Sequence, residues 1–445
     1  MVMIEITAVG GYSEVGKNMT AVKYKDDVVI LDMGLHMETY INLEDDDDDD
    51  SHSLRDLTNT GAVPDDSVIE NLKKKVVAIV PSHGHLDHIG AIPFLAQNYN
   101  APVICTPYTA AVLRAVVADK KIPFSNEIVA MEFGRKMKLS DSITIEFVNV
   151  THSIPHTAIV VIHTPDGKVV YANDFKLDET PTFGEKTDYK KLKELSGRNV
   201  KVLILDSLYA GTDRKTPSES VARDMLKEVM LNTDTKGKAV IISTFSSHIA
   251  RLKSIVEFGK KMKRKIIFMG RSLAKYVAAA ESIGLAKFSP SVEICAYKKQ
   301  MKKPLMKVEK DGRDKYLIVC TGHQGEPTAV LTRLADDKIG FSLQRNDHVI
   351  FSCTVIPTET NRKNRASLEK RLLRYGVIIF RDVHESGHAS RQDHKELIEL
   401  LQPEHIIPAH AGHDKTKHMI SLAEELGYKR NKTVHEMKDG KTIML

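Results

Sequence analysis

Cysteine is scarce in this chain: Cys105, Cys295, Cys320 and Cys353 are the only four in 445 residues, and no two share a CxxC spacing. That scatter excludes a thiolate metal site. Three of the four sit in apolar, strand-like runs, which predicts buried free thiols rather than disulfide staples. No apolar stretch approaches the roughly 20 residues of a membrane helix. The opening MVMIEITAVGG alternates like a strand, without the charged segment and apolar core of a secretion signal. A cytoplasmic protein with no membrane attachment is expected. Internal repeats and low-complexity linkers are missing too, so a solenoid or tethered array is not indicated.

What is present fits a globular protein: 42% apolar and 28% charged residues, on a chain long enough for two domains. The net charge of +5 hides an asymmetry. Residues 213–383 hold 34 Lys+Arg against 18 Asp+Glu, a net of +16, and the remainder is at −11. A polyanionic partner meeting the middle of the chain would account for this. The first two hundred residues read mainly as short β-branched strands, among them DVVILDMG, KVVAIVPS, ITIEFVNVTH, KVVYANDF and KVLILDS. The acidic run Glu44 to Asp50 reads as a solvated loop. From Ser218 onward helices such as SESVARDMLKEVML and HIARLKSIVEFGKKMK alternate with the strands KAVIIST, KIIFMG and YLIVCTG, the pattern of a parallel α/β sheet. A last stretch carries VIIFRDVH, a helix at RQDHKELIELL, the strand HIIPAH, a helix at HMISLAEELG and a final KTIML.

The segment richest in chemistry is SHGHLDH, Ser82 to His88, between the strand KVVAIVP and an expected helix over IGAIPFLAQNY. A strand ending in such a loop projects His83, His85, Asp87 and His88 from six positions, and imidazoles with a carboxylate are what adjacent divalent ions need. Three more candidates stand at strand ends: His152 in VNVTHSIPH, Asp174 in VVYANDFK and His410 in IIPAHAGH. His83, His85 and His152 would hold one zinc, Asp87, His88 and His410 a second. Asp174, with two carboxylate oxygens, can bridge them and leave positions open for water. The same N/O donor set also accepts manganese.

These motifs, in this order, resemble the metallo-β-lactamase superfamily. By that resemblance Asp32 in VVILDMG steadies the metal loop without touching metal. More than two hundred residues separate Asp174 from His410, a layout that resembles the β-CASP nucleases. Their further motifs fall at Asp206, His388 and His410. Across nearly the whole chain the strings GGYSEVGKNM, THSIPH, NDFK, STFSSHIARL, GRSL, TGHQGEP and ESGHAS resemble the ribonuclease J family. The chain departs from that family's common pattern at Leu208, Asn173 and His156, none of them a proposed ligand. The resemblance implies an αββα metallo-β-lactamase sandwich over 1–212 and 384–445, with an inserted β-CASP domain, a parallel sheet flanked by helices, over 213–383.

It implies further a ribonuclease acting 5′→3′ on single-stranded RNA with a 5′ monophosphate. Asp87, His388 and Asp206 would be its catalytic residues, with His388 steadying the transition state or protonating the leaving oxygen and Asp206 orienting it. Loops whose small hydroxyl and glycine groups suit gripping phosphates would contribute Phe245, Ser246, Ser247, His248, Arg271, Ser272, Gly322, His323, Gln324, Glu326, His384, Glu385, Ser386, Gly387, His388 and Ser390. The resemblance also implies a homodimer, although the carboxyl-terminal dimerisation domain of many bacterial members is expected to be missing. A β-CASP endonuclease and a small-molecule metallohydrolase are the rival expectations.

Overall fold

A computed structural model of the chain describes residues 3–43, 53–120, 122–196, 199–356 and 358–445, so the acidic run Glu44 to Asp50 lies outside the described residues. The chain forms two compact units. One comprises Met1–Glu179, Gly184–Thr216 and Ser386–Leu445, the other Thr180–Phe183 and Pro217–Glu385.

Two sheets make the first unit among the described residues. The seven-stranded sheet runs in the order Thr442–Met444, Ile4–Gly10, Met19–Tyr24, Asp27–Leu31, Val76–Val80, Val103–Cys105 and Ile128–Ala130. It is antiparallel as far as Asp27–Leu31 and parallel beyond. The six-stranded sheet runs His405–Ala409, Val200–Asp206, Gly167–Ala172, Ala158–Thr164, Thr144–Asn149 and Lys136–Lys138. Strand alternation splits the apolar residues between two cores. Ile6, Val29 and Val80 of one sheet meet Phe147, Val160 and Ile204 of the other. Leu203, Leu205 and Val170 face outward, onto Leu192, Leu397, Leu401 and Met419 of the helices Tyr189–Ser196, Arg391–Leu401 and His413–Glu425. Each such buried aliphatic contributes about 1.5–3 kcal/mol. The helix Pro107–Lys120 packs on Val103–Cys105 and Ile128–Ala130 of the first sheet, which completes an αββα order.

One expectation fails locally. IGAIPFLAQNY does not form a continuous helix but the short turns Leu86–Ile89, Ile92–Leu95 and Ala96–Asn98. Pro93, which has no amide hydrogen to give to a preceding turn, sits at the start of the second of these.

The second unit is built on an all-parallel sheet in the order Val292–Cys295, Lys265–Met269, Tyr316–Cys320, Val240–Ser243, His348–Phe351 and Ile378–Phe380. The segment VIIFRDVH therefore supplies an edge strand here. Tyr316–Cys320 is buried along its whole length, as a strand covered by helices on both faces must be. The helix Glu219–Leu231 starts at Ser218, whose hydroxyl accepts the Ser220 amide, and buries Ala222, Leu226 and Met230 at helical spacing. Because the strands are parallel, the loops after Ser243, Met269, Cys320 and Phe380 all leave the same edge. In open α/β sheets that carboxyl edge is where ligands bind.

Candidate metal centre

Every residue expected to hold metal, and Asp32 expected to steady them, lies in the first unit, at or just beyond a strand's carboxyl end. Asp32 follows Asp27–Leu31, His83 follows Val76–Val80, His152 follows Thr144–Asn149, Asp174 follows Gly167–Ala172 and His410 follows His405–Ala409. The fold brings them together. His83, His85, His152 and Asp174 form one group, Asp87, His88 and His410 a second, and Asp174, His388 and His410 a third; within each group the ligand atoms lie within 4.8 Å of one another.

In the first group His85 Nδ1 is 3.0 Å from His83 Nε2 and 3.2 Å from His152 Nε2. Asp174 Oδ2 is 3.5 Å from both of those Nε2 atoms. With zinc–nitrogen bonds of about 2.0–2.1 Å, neighbouring ligands on a tetrahedron sit about 3.3 Å apart, so these spacings suit one ion. In the second group His88 Nε2 is 3.6 Å and His410 Nε2 3.8 Å from Asp87 Oδ2. Asp174 faces this group as well, with Oδ2 3.4 Å from His88 Nε2 and Oδ1 3.8 Å from His410 Nε2. Asp174 is buried and its Oδ1 has no hydrogen-bond partner. A buried carboxylate oxygen without a donor is costly unless a cation meets it.

The outer nitrogens of four imidazoles are each held by an oxygen, which turns Nε2 inward. Ser82 Oγ lies 3.0 Å from His83 Nδ1, Asp32 Oδ2 2.7 Å from His88 Nδ1, the Gly387 carbonyl 2.6 Å from His152 Nδ1 and Asn18 Oδ1 2.9 Å from His410 Nδ1. Asp32 is itself anchored: its carboxylate accepts the Ser82 amide at 2.7 Å and the Tyr171 hydroxyl at 2.7 Å. Both Asp32 and His410 adopt positive φ, 57° and 56°. Backbone in that left-handed region is uncommon outside glycine and gathers at functional sites.

Electrostatics sort the histidines into two kinds. Burial pushes His83 and His152 well below the ordinary imidazole range and His85 down to about 4, so these three are neutral, the form in which imidazole ligates a metal. Burial also opposes charge on His88, but Asp174, Asp32 and Asp87 outweigh it and raise it. Asp174 stays ionised despite its burial because His410, His88 and His388 surround it. His388 is raised to about 9: burial works against it, and the Asp174 and Asp206 carboxylates prevail. Its Nδ1 is 3.3 Å from Asp206 Oδ2 and 3.9 Å from Asp174 Oδ2, and its ring stacks on His410 with centroids 5.9 Å apart.

Sequence reading missed several supports. Asn18 touches three parts of the site: its amide donates to the Asp87 carbonyl at 3.0 Å, lies 3.2 Å from His88 Nε2, and its oxygen holds His410. The only signal for it was the string GGYSEVGKNM. Gly34 fits where no side chain can, since a Cβ there would lie 1.6 Å from the Asp87 carbonyl oxygen. Gly387 lies so close to Ser153 that a Cβ would approach its amide nitrogen at 2.8 Å. Of its neighbours in the loop, Ser386 accepts the His388 amide at 3.0 Å, and Ser390 is a buried cap of Arg391–Leu401.

The other residues expected to read phosphates lie in the second unit, on the carboxyl edge of its sheet. Ser246 and Ser272 hydroxyls are 2.9 Å apart, and Arg271 opens the helix Arg271–Ser282. The Phe245 ring meets His323 edge to face at 4.3 Å and His384 at 6.0 Å. Gly322 has a φ of 111°, and the backbone amide of Gln324 donates to the Glu326 carboxylate at 3.0 Å. Ser247 and His248 are buried, with His248 Nε2 3.4 Å from Glu219, and Glu385 is half-buried. Behind them the fully buried Arg251 grips both oxygens of Glu219 at 2.6 and 2.7 Å and approaches His384 at 3.4 Å.

The family model described as "Ribonuclease J, beta-CASP domain" matches residues 237–367, "Beta-lactamase superfamily domain" matches 60–230, and "Zn-dependent metallo-hydrolase RNA specificity domain" matches 380–435. Ribonuclease J of Methanocaldococcus jannaschii is 42% identical over 441 residues, 99% of this chain and 98% of that protein. Ribonuclease J of Pyrococcus abyssi is 44% identical over 443 residues, 99% of this chain and 97% of that one. A solved protein of unknown function from Enterococcus faecalis superposes over 100% of both chains with a TM-score of 0.66 at 18% identity, a likeness of fold alone. A metal cofactor goes with these domains, and no helix among the described residues is long and apolar enough to cross a membrane. With that coverage and identity, the chain belongs to the ribonuclease J family.

Proposed function

We propose that this chain is a zinc-dependent 5′→3′ exoribonuclease that degrades and matures single-stranded RNA in the cytoplasm, with preference for a 5′ monophosphate. The observation that carries the reading is Asp174, a buried carboxylate facing two groups of inward-turned ligands with one oxygen unpartnered. His83, His85 and His152 would hold one ion, Asp87, His88 and His410 the other, and Asp174 both. Two zinc ions there would supply Lewis acidity and an activated water at neutral pH. His388, kept protonated by Asp206 and Asp174, can place a positive charge beside a phosphate and hold the proton that a departing 3′ oxygen needs. Asp206 fixes the Nδ1 side of that ring. The Ser246 and Ser272 hydroxyls and the backbone at Arg271 suit a terminal phosphate, since serines and helix starts bind anions without reading bases.

The test uses end-labelled RNA with a 5′ monophosphate, triphosphate or hydroxyl, alongside a circular RNA. Early release of mononucleotides from the monophosphate form alone is the expected result. Discrete internal fragments from the circle would replace this reading with that of an endonuclease, and no cleavage of any RNA by zinc-loaded protein would end both.

A further inference from the structure

The second unit carries a feature that the proposed metal chemistry does not use. The helix Lys298–Asp311 buries Met301, Pro304, Leu305 and Val308 on one side. On the other, Lys298, Lys299, Lys302, Lys303, Lys307 and Lys310 are all exposed, and among the described residues none of the six forms an ion pair. A solvated lysine face is commonly bland, but such faces normally interleave acidic partners three or four positions away. Here the helix's two acids are engaged elsewhere: Glu309 pairs with Arg313 at 2.7 Å, and Asp311 accepts the Tyr316 hydroxyl at 2.7 Å. Lys298 with Lys302, Lys299 with Lys303, and Lys303 with Lys307 are like charges at the spacing that destabilises a helix. The local sequence thus works against its own helix.

Position adds a second observation. The helix follows the edge strand Val292–Cys295 of a parallel sheet, so it starts at the same carboxyl edge as the loops carrying Ser246, Arg271 and His323. From there its 14 residues run back along the sheet for about 20 Å. At its start Tyr297 is 56% exposed, an open aromatic face beside the first lysines. Aromatic platforms next to cationic tracks are how proteins hold single strands without reading sequence.

We propose that this helix is a second RNA-contact surface, a track on which Lys299, Lys302, Lys303 and Lys307 neutralise phosphates remote from the cleaved bond while Tyr297 stacks a base. The inference rests on the ribonuclease reading, but its test does not depend on turnover. Binding of a long, cleavage-resistant phosphorothioate oligoadenylate to the metal-loaded protein is measured across a range of salt, with Lys299, Lys302, Lys303 and Lys307 replaced together by Gln. Single strands give about 0.7 in log–log salt slope per phosphate contact, so the variant's slope falls by up to about 3. Tyr297→Ala weakens binding about tenfold with the slope unchanged. Thermal melting and metal content establish that the variants are folded. An unchanged slope and affinity in the four-fold variant overturns the proposal even where the wild type degrades RNA. Unchanged RNA binding with lost binding of polyglutamate overturns it too, and gives the surface to an acidic protein.

Discussion

The two units handle charge in opposite ways. In the first, seven ligand-type side chains are packed, most of them buried, into the ends of two sheets, and each carboxylate among them has an imidazole within 4 Å. In the second, buried charges pair off, as in Arg251–Glu219 and Arg313–Asp347, while among the described residues a row of exposed lysines forms no ion pair. A buried cluster makes distances matter, because low dielectric magnifies each interaction and penalises each loss. An exposed row makes number matter, because each lysine contributes a small and salt-screened share. Substitutions in the first unit should therefore act steeply and singly, and those in the second weakly and together.

The steepest expected effect is at Asp174. Asp174→Ala removes the carboxylate that faces both ligand groups, and loses metal by elemental analysis together with about 10⁴-fold or more in RNA hydrolysis, the loss of several kcal/mol of transition-state stabilisation. A variant that kept both metal and rate would erase the contrast between the units. His388→Gln comes next, with a fall of about 10² to 10³ in kcat and metal content unchanged. The pH dependence of the metal-free protein adds a sign. His388 is raised to about 9, so its contribution to stability is complete below about 6.5 and is lost as pH rises toward 9. His85 is lowered to about 4, so its contribution is present above about 6.5 and is lost as pH falls toward 4. Metal-stripped protein should melt at its highest temperature near neutrality, and a monotonic rise of melting temperature with acidity would contradict the assignment of these two groups.

A smaller loss should come from residues that never touch metal. Gly34→Ala cannot be accommodated against the Asp87 carbonyl without moving the loop that carries Asp87 and His88. Asp32→Asn leaves His88 Nδ1 without the carboxylate that holds it. Each is expected to weaken metal affinity about 10- to 100-fold, the usual effect of disturbing a ligand's support, with the apo fold intact by circular dichroism. Wild-type metal affinity in both would show that the ligand loop holds its shape unaided.

These supports also mark where sequence reading stops. SHGHLDH was legible because four ligand-type side chains in six positions is a local pattern, and His152, Asp174 and His410 followed from strand ends in a known order. Asn18 carried no such mark: its partner His410 is 392 positions away, and an isolated asparagine after a glycine-rich turn has many uses. Gly34 was silent because the close approach it permits exists only once two loops are packed. The helix Pro107–Lys120 escaped because Tyr108 through Leu113 are all buried, which leaves no polar stripe to betray a period of 3.6. The strands Ile128–Ala130 and Lys136–Lys138 are three residues each and largely half-exposed or exposed, too short for alternation to register. The basic middle segment was visible in composition alone, but the lysine face of one of its helices was not, since Pro304 within KKQMKKPLMKVEKD reads as a break and here lies buried inside the helix.

The mildest expected effect lies in the second unit, and it sharpens the comparison most. Ser246 and Ser272 share one hydrogen bond at 2.9 Å at the sheet's carboxyl edge, half-buried and exposed respectively, with water as an alternative partner for either. Ser246→Ala with Ser272→Ala should raise KM for 5′-monophosphate RNA by about three- to tenfold and leave kcat and metal content alone, because uniform binding is lost and transition-state contacts are kept. The same pair of changes should leave KM for 5′-hydroxyl RNA as it is, since that end offers no phosphate to grip. A drop in kcat equal to the loss in kcat/KM would put these serines at the reacting phosphate, and equal effects on both RNAs would place them along the strand rather than at its end.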